Sequence, residues 1–159
     1  MVSVQDSYTI DLLPNLSALK QVTATFSDAK EALKRAEQSD AGAVGLLVFE
    51  GEDGADVVDA QRALLQGWDA QALKSEGFTG KVGTTLVLLA ASGPTKVLVG
   101  VGPASEVDAD SYREAGAALA RAVSKADTIL VVAPAPADGT QIEALAEGVL
   151  LGAYEYHSF

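Results

Sequence analysis

The sequence predicts an α/β domain of three layers, with a mixed sheet held between two sets of helices. Three observations carry this expectation. Apolar runs without alternation recur at Ala43–Glu50, Lys96–Val101 and Thr128–Val132, as in strands buried on both faces. A long helix with one apolar face, Asp108–Lys125, separates two of those runs and gives the alternation of a layered sheet. Ser92-Gly93-Pro94 lies between two further apolar segments, the tight turn of an adjacent antiparallel pair.

Taken in order, Met1–Asn15 mixes polar and apolar residues and closes on Pro14, an arm with at most one short extended piece. In Leu19–Phe26, Val22, Ala24 and Phe26 alternate with Gln21, Thr23 and Thr25, which predicts a half-buried strand. Ser27–Gln38 is charged and rich in helix formers; a surface helix here places Ala29, Leu33 and Ala36 on one side. Asp40–Gly42 turns the chain into the Ala43–Glu50 strand. Gly51–Asp59, acidic and glycine-bearing, is expected as a loop. Val58–Leu65 and Asp69–Ser75 are expected as short helices on either side of Gly67. Gly77, Gly80 and Gly83 then punctuate the path to a strand at Thr84–Ala90.

Lys96–Ser105, KVLVGVGPAS, is the stretch around which the rest is built. It reads as a central strand that turns at Gly100 and Gly102 and feeds the next helix, with the apolar runs on either side as its sheet neighbours. In that helix Tyr112, Ala115, Gly116, Leu119, Ala122 and Val123 share one face. Asp108 and Asp110 lie near its positive end, Arg121 and Lys125 near its negative end. Each such placement is favourable by ~0.3–1 kcal/mol. After Thr128–Val132 and a Pro134/Pro136 linker comes a closing helix, Gln141 to about Tyr154, turning Ile142, Leu145, Ala146, Val149 and Ala153 to one side. Leu151 and Tyr154 lie off that side, where an arm, a loop or a partner would cover them. Gly148 and Gly152 each cost the helix ~1 kcal/mol of propensity but let another element come close.

The totals narrow the function classes. With 159 residues, 48% hydrophobic and 21% charged, the chain suits one folded domain. A net charge of −11 without clustered Lys or Arg argues against nucleic acid as a partner. The absence of cysteine excludes disulfides and thiolate metal sites. No basic segment precedes an apolar core at the N-terminus, and no apolar run approaches the ~20 residues of a membrane span. The expectation is a cytoplasmic protein with no membrane association.

Chemical motifs are scarce. Gly100-Val101-Gly102 opens like a dinucleotide fingerprint, but the third glycine is missing and Pro103 removes an N–H where phosphate would be held. As a calcium loop the acidic stretch fails: with Gly54 sixth, Phe49 falls first and Ala60 twelfth, where carboxylates are required. His157 is the only histidine, so a His-rich zinc site within one chain is impossible. No GxSxG elbow occurs, and Trp68 and Phe78 read as satellite core. The expected catalytic, cofactor-binding and metal-ligating residues are therefore none.

An ordered set of motifs points further. VFEG at Val48–Gly51, GFTGKVG at Gly77–Gly83, Val99–Gly102, the Tyr112-Arg113 pair and Glu147–Tyr156 follow one another. Together they resemble the amino-terminal domain of the leucyl aminopeptidases, the cytosol aminopeptidase family. That family has a strand ending V-G-L-G, a helix with a Y-R or L-R pair, and a closing helix reading E-G-x-x-L-G-x-Y-x-F. Here Val101 stands for the usual Leu and Tyr156 for the usual Phe. The resemblance spans roughly Ala43 to Phe159 and is most specific in the closing helix.

The resemblance implies a macro-domain-like α/β/α fold, a role in assembling a hexamer, and catalysis by a separate carboxy-terminal domain. There Asp, Glu and Lys side chains hold two divalent metal ions, Zn or Mn, which activate water and polarise the scissile carbonyl. None of those metal-ligand or catalytic motifs occurs in this sequence. The chain stops where the family's link to the catalytic domain begins, so it is expected to be one domain, 1–159, of a longer gene product. Leu151, Tyr154 and Tyr156 are the candidate contacts with that missing domain. The alternative is a free-standing macro-like module that binds ADP-ribose or a nucleotide at its glycine turn. DNA binding, attributed to some members of the family, ranks last on the charge balance.

Overall fold

The computed structural model describes residues 7–10, 21–25, 34, 42–62, 64–65, 67–88, 94–123, 128–133 and 138–157; of 7–10, 21–25, 59–60, 128 and 154–157 it describes the backbone alone. The elements follow in the order β1 (Ser7–Ile10), β2 (Gln21–Thr25), β3 (Ala43–Gly51), β4 (Gly54–Asp56), α1 (Asp59–Arg62), α2 (Ala70–Ser75), β5 (Thr85–Leu88), β6 (Thr95–Pro103), α3 (Ala109–Ala122), β7 (Thr128–Val132) and α4 (Gly139–His157). Ser27–Gln38, expected as a helix, lies outside the described residues apart from Lys34, as do Ser92-Gly93 and the Pro134/Pro136 linker.

The sheet runs β1-β2-β7-β3-β6-β5. β2, β7, β3 and β6 are parallel, while β1 and β5 pair antiparallel at the two ends. This is the mixed sheet that the sequence predicts. β3 is its hub: β6 lies along one side, and the other is shared between β7, against Ala43–Leu46, and β4, against Phe49–Gly51.

The unalternating apolar runs are explained by burial on both faces. Ala43, Leu47, Val97, Val99, Ile129 and Val131 pack with Tyr112, Ala115 and Leu119 of α3 and Leu145 and Val149 of α4. Val44, Leu46, Val48, Leu98, Leu130 and Val132 face the other way, onto Val57, Leu64, Leu65, Leu73 and Phe78. At about 25 cal/mol per Å² of apolar surface, each of these buried Leu or Val side chains stabilises the fold by ~1.5–3 kcal/mol. Phe78 is 2% exposed, a member of the main core and not a satellite. No helix among the described residues is long and apolar enough to cross a membrane.

Three local expectations are corrected. The chain does not turn at Gly100 and Gly102: β6 continues to Pro103, and the turn is Ala104–Glu106, closed by Glu106 N–H donating to Pro103 O at 2.9 Å. The glycines serve a crossing instead. A Cβ on Gly100 would fall 2.5 Å from the Gly80 carbonyl carbon, so the Gly77–Gly83 segment packs backbone to backbone on this strand. Val101 is an extra residue in the ladder, since Val48 pairs Gly100 and Phe49 pairs Gly102, and Gly102 takes φ +85° to accommodate it. Gly51–Asp59 is not simply a loop, because Gly54–Asp56 returns as β4 in a hairpin with β3. Finally, the run after α3 is not a neighbour of β6, because β3 lies between β6 and β7.

Both long helices start on side-chain caps. Ser111 N–H donates to Asp108 Oδ1 at 2.9 Å, and Asp108 N–H donates to Ser111 Oγ at 3.3 Å. The bonds from Ser111 hold the Asp108 carboxyl below its ordinary pKa. Asp138 and Gln141 repeat the arrangement at α4, with Gln141 N–H to Asp138 Oδ1 at 2.8 Å and Asp138 N–H to Gln141 Oε1 at 3.2 Å.

Candidate functional site

α3 and α4 meet through glycine. A Cβ on Gly148 would lie 2.8 Å from the carbonyl carbon of Arg113 and 3.0 Å from Ala117 N; one on Gly152 would lie 2.5 Å from Ala117 O. The pair four residues apart therefore does what the sequence suggests and lets another helix approach. Gly116 answers from the other side, where a Cβ would lie 3.0 Å from Val149 N. At the same crossing Arg113 Nε donates to Glu147 Oε2 at 3.0 Å, and its Nη1 pairs with Asp110 Oδ1. The Glu147 bond, chiefly, raises the guanidinium pKa. Tyr112-Arg113 and Glu147-Gly148, far apart in sequence, thus form a single contact. Tyr112 is buried beside it; burial first, then the charge of Asp138, pushes its phenol pKa up.

The outer side of α4 carries the sequence-predicted contact residues. Glu143, Glu147, Leu150 and Leu151 are exposed, Leu151 to 54% and Leu150 to 37%. Leu151 stands where the helical spacing puts it. The side chains of Tyr154 and Tyr156 lie outside the described residues, though α4 continues through both. Leu150 is missing from the sequence-based set. Its position, three residues beyond Glu147 on the polar stripe, is the signal that would have found it.

The Gly100–Pro103 stretch of β6 is a poor phosphate cradle for a structural reason. Gly100 N–H already donates to Thr84 O at 2.9 Å and Gly102 N–H to Gly80 O at 3.0 Å, while Pro103 has none to offer. The adjacent helix end is occupied by Asp108. Sequence reasoning also missed Gln61. Its side chain is fully buried, and Nε2 donates to Leu47 O at 2.7 Å, in the fork of β3 between the stretches paired to β7 and β4. Oε1 is left without a partner among the described residues.

Residues 43–159 match the cytosol aminopeptidase family, N-terminal domain. The chain belongs to this family. It is 35% identical over 145 residues to a probable cytosol aminopeptidase of Streptomyces griseus, covering 85% of this chain and 27% of that protein. A probable cytosol aminopeptidase of Streptomyces avermitilis is 33% identical over 124 residues, 69% of this chain and 24% of its own length. The chain thus spans about a quarter of the length of these relatives. Among solved structures, a mutant of tomato leucine aminopeptidase shares the fold with a TM-score of 0.60 at 24% identity, over 85% of this chain and 28% of that one. The bottromycin maturation enzyme BotP in complex with Mn aligns with a TM-score of 0.51 at 30% identity, over 72% of this chain and 23% of its own.

Among the described residues no three His, Asp or Glu side chains stand together in a way that could hold a metal ion. These described donors do not fit a metal centre. What the α3–α4 layer offers is a closely packed helix pair with two exposed leucines, Leu150 and Leu151, on its outer side.

Proposed function

We propose that this chain is the non-catalytic amino-terminal domain of a leucyl aminopeptidase, a cytoplasmic hydrolase that removes amino-terminal residues from peptides with two divalent metal ions. Its contribution is structural, to hexamer assembly or to active-site access. Leu151, Tyr154 and Tyr156 on α4 form the contact with the catalytic domain, and the chain as a whole, 1–159, is one domain. The match of residues 43–159 to the family's N-terminal domain carries this reading. The short share of each relative that the chain covers supports a separate home for the metals and the reacting groups. A relative solved with Mn supports a divalent metal in the whole enzyme. The exposure of Leu151 and Leu150, adjacent on α4, supports docking on this side of the helix.

Replacing Leu151 and Tyr154 together by serine tests the contact. This chain should become more soluble, and the full-length enzyme should lose stability and assembly, read by size-exclusion chromatography and thermal unfolding. Equal destabilisation of both proteins would instead identify the two side chains as ordinary core.

A further inference from the structure

The sheet ends at β5, which pairs with β6 on one side and with no strand among the described residues on the other. Gly100 N–H donates to Thr84 O at 2.9 Å, one step outside the ladder in which Thr85 faces Val99 and Leu88 faces Lys96. Bonded and non-bonded pairs alternate along an antiparallel ladder. Leu86 and Leu88 therefore exchange bonds with β6, while Thr85 and Val87 aim their N–H and C=O groups off the sheet. The side chains of these two residues are exposed as well, Val87 to 40%.

Sheet edges are ordinarily guarded by charge, proline, a bulge or brevity. β5 has only the last, at four residues. Its register with β6 is unbroken, and residues 82–95 form the longest uncharged run of the chain. The opposite edge strand, β1, is bracketed by Asp6 and Asp11. In a chain of net charge −11, the stretch from Gly77 to Ser105 contains no Asp or Glu. The charges around β5 are Lys81 and Lys96, to either side in sequence, and Glu114 of α3 beside Gly83. Two like-charged copies therefore meet with least repulsion at this edge. An antiparallel edge also matches a copy of itself under a two-fold axis, so one surface supplies both halves of the contact.

We propose that β5 pairs with β5 of a second copy of this chain, antiparallel about a two-fold axis at Leu86, and extends the sheet across both copies. Thr85 then exchanges N–H···O bonds with the partner's Val87, and Val87 with the partner's Thr85. Only a short strand is engaged, so the dimer is weak, with a Kd of about 100 μM. The contact uses none of the α4 residues assigned to the catalytic domain, so either assignment can fail alone.

Sedimentation equilibrium of the full chain should show chiefly monomers at about 10 μM and chiefly dimers at about 1 mM. Amide hydrogen exchange locates the contact. Protection of Thr85 and Val87 should rise with concentration, while Leu86 and Leu88, bonded to β6, stay protected throughout. Val87→Lys sets like charges on either side of the axis and should weaken dimerisation by about tenfold or more. Thr85→Pro removes an outward N–H that β6 does not use, and should do the same while the unfolding midpoint holds. Three results would overturn the proposal: a monomer at about 1 mM, a dimer indifferent to both folded variants, or equal protection of Thr85 and Val87 at every concentration. The last would mean that a segment of the same chain covers the edge.

Discussion

Gly148→Ala tests whether the α3–α4 layer depends on backbone contact. Two effects oppose each other. Alanine improves helix propensity by about 1 kcal/mol. Its Cβ, however, would lie 2.8 Å from the Arg113 carbonyl carbon and 3.0 Å from Ala117 N, against 3.4 Å for ordinary contact, and closer still to Arg113 O. The groups met are main chain of a neighbouring helix, so relief requires α3 and α4 to separate by about half an ångström or more. Overpacking of this kind costs ~1–3 kcal/mol, and the rigid neighbour places it at or above the upper end. The net expectation is a loss of about 2 kcal/mol. For a chain of this size that lowers the midpoint of thermal unfolding by ~4–8 °C. Urea unfolding followed by circular dichroism gives the free energy, with Gly139→Ala as the control, since nothing lies within 4 Å of a Cβ there. If Gly148→Ala is as stable as the parent or more so, the close crossing does not exist.

Two further predictions follow from buried polar groups. Gln61→Glu keeps the shape of a fully buried side chain but removes the N–H that reaches Leu47 O at 2.7 Å. An unpaired buried carboxylate costs about 3–5 kcal/mol at neutral pH. Burial raises the pKa of that introduced carboxyl, so the loss should shrink as the pH falls and a protonated O–H restores the bond. A penalty that is the same at neutral and acid pH would refute the buried site. Tyr112 is held above its ordinary pKa of 10.0 by burial and by Asp138. The folded state keeps this proton where the unfolded chain gives it up, so its contribution is intact below about pH 10 and fades as the pH rises further. Tyr112→Phe should flatten the alkaline part of the stability profile; an unchanged slope would show that the phenol is hydrated.

Much of this architecture is legible locally. β3, β6 and β7 announce themselves as apolar runs, and α3 by its spacing and the acid at its start. What was lost is non-local. β4 is three residues long, too short for any pattern, and its acidic glycine-bearing surroundings resemble a loop. Gly100 and Gly102 look like a turn because the segment that demands them, Gly77–Gly83, lies some twenty positions earlier in the chain. The insertion of β3 between β6 and β7 has no signature in either strand. Gln61 resembles any surface glutamine of a short helix until the fork of β3 appears above it. The outer side of α4 was readable through Leu151, because an apolar residue off the buried stripe is visible in spacing alone.

The separation of scaffold from chemistry is tested most directly by turnover. The purified chain, supplied with Mn²⁺ or Zn²⁺ and a leucine anilide, should release no product above the blank that contains metal alone. Hydrolysis that grows in proportion to the chain and stops with a chelator would place a working metal centre on these residues and contradict the account.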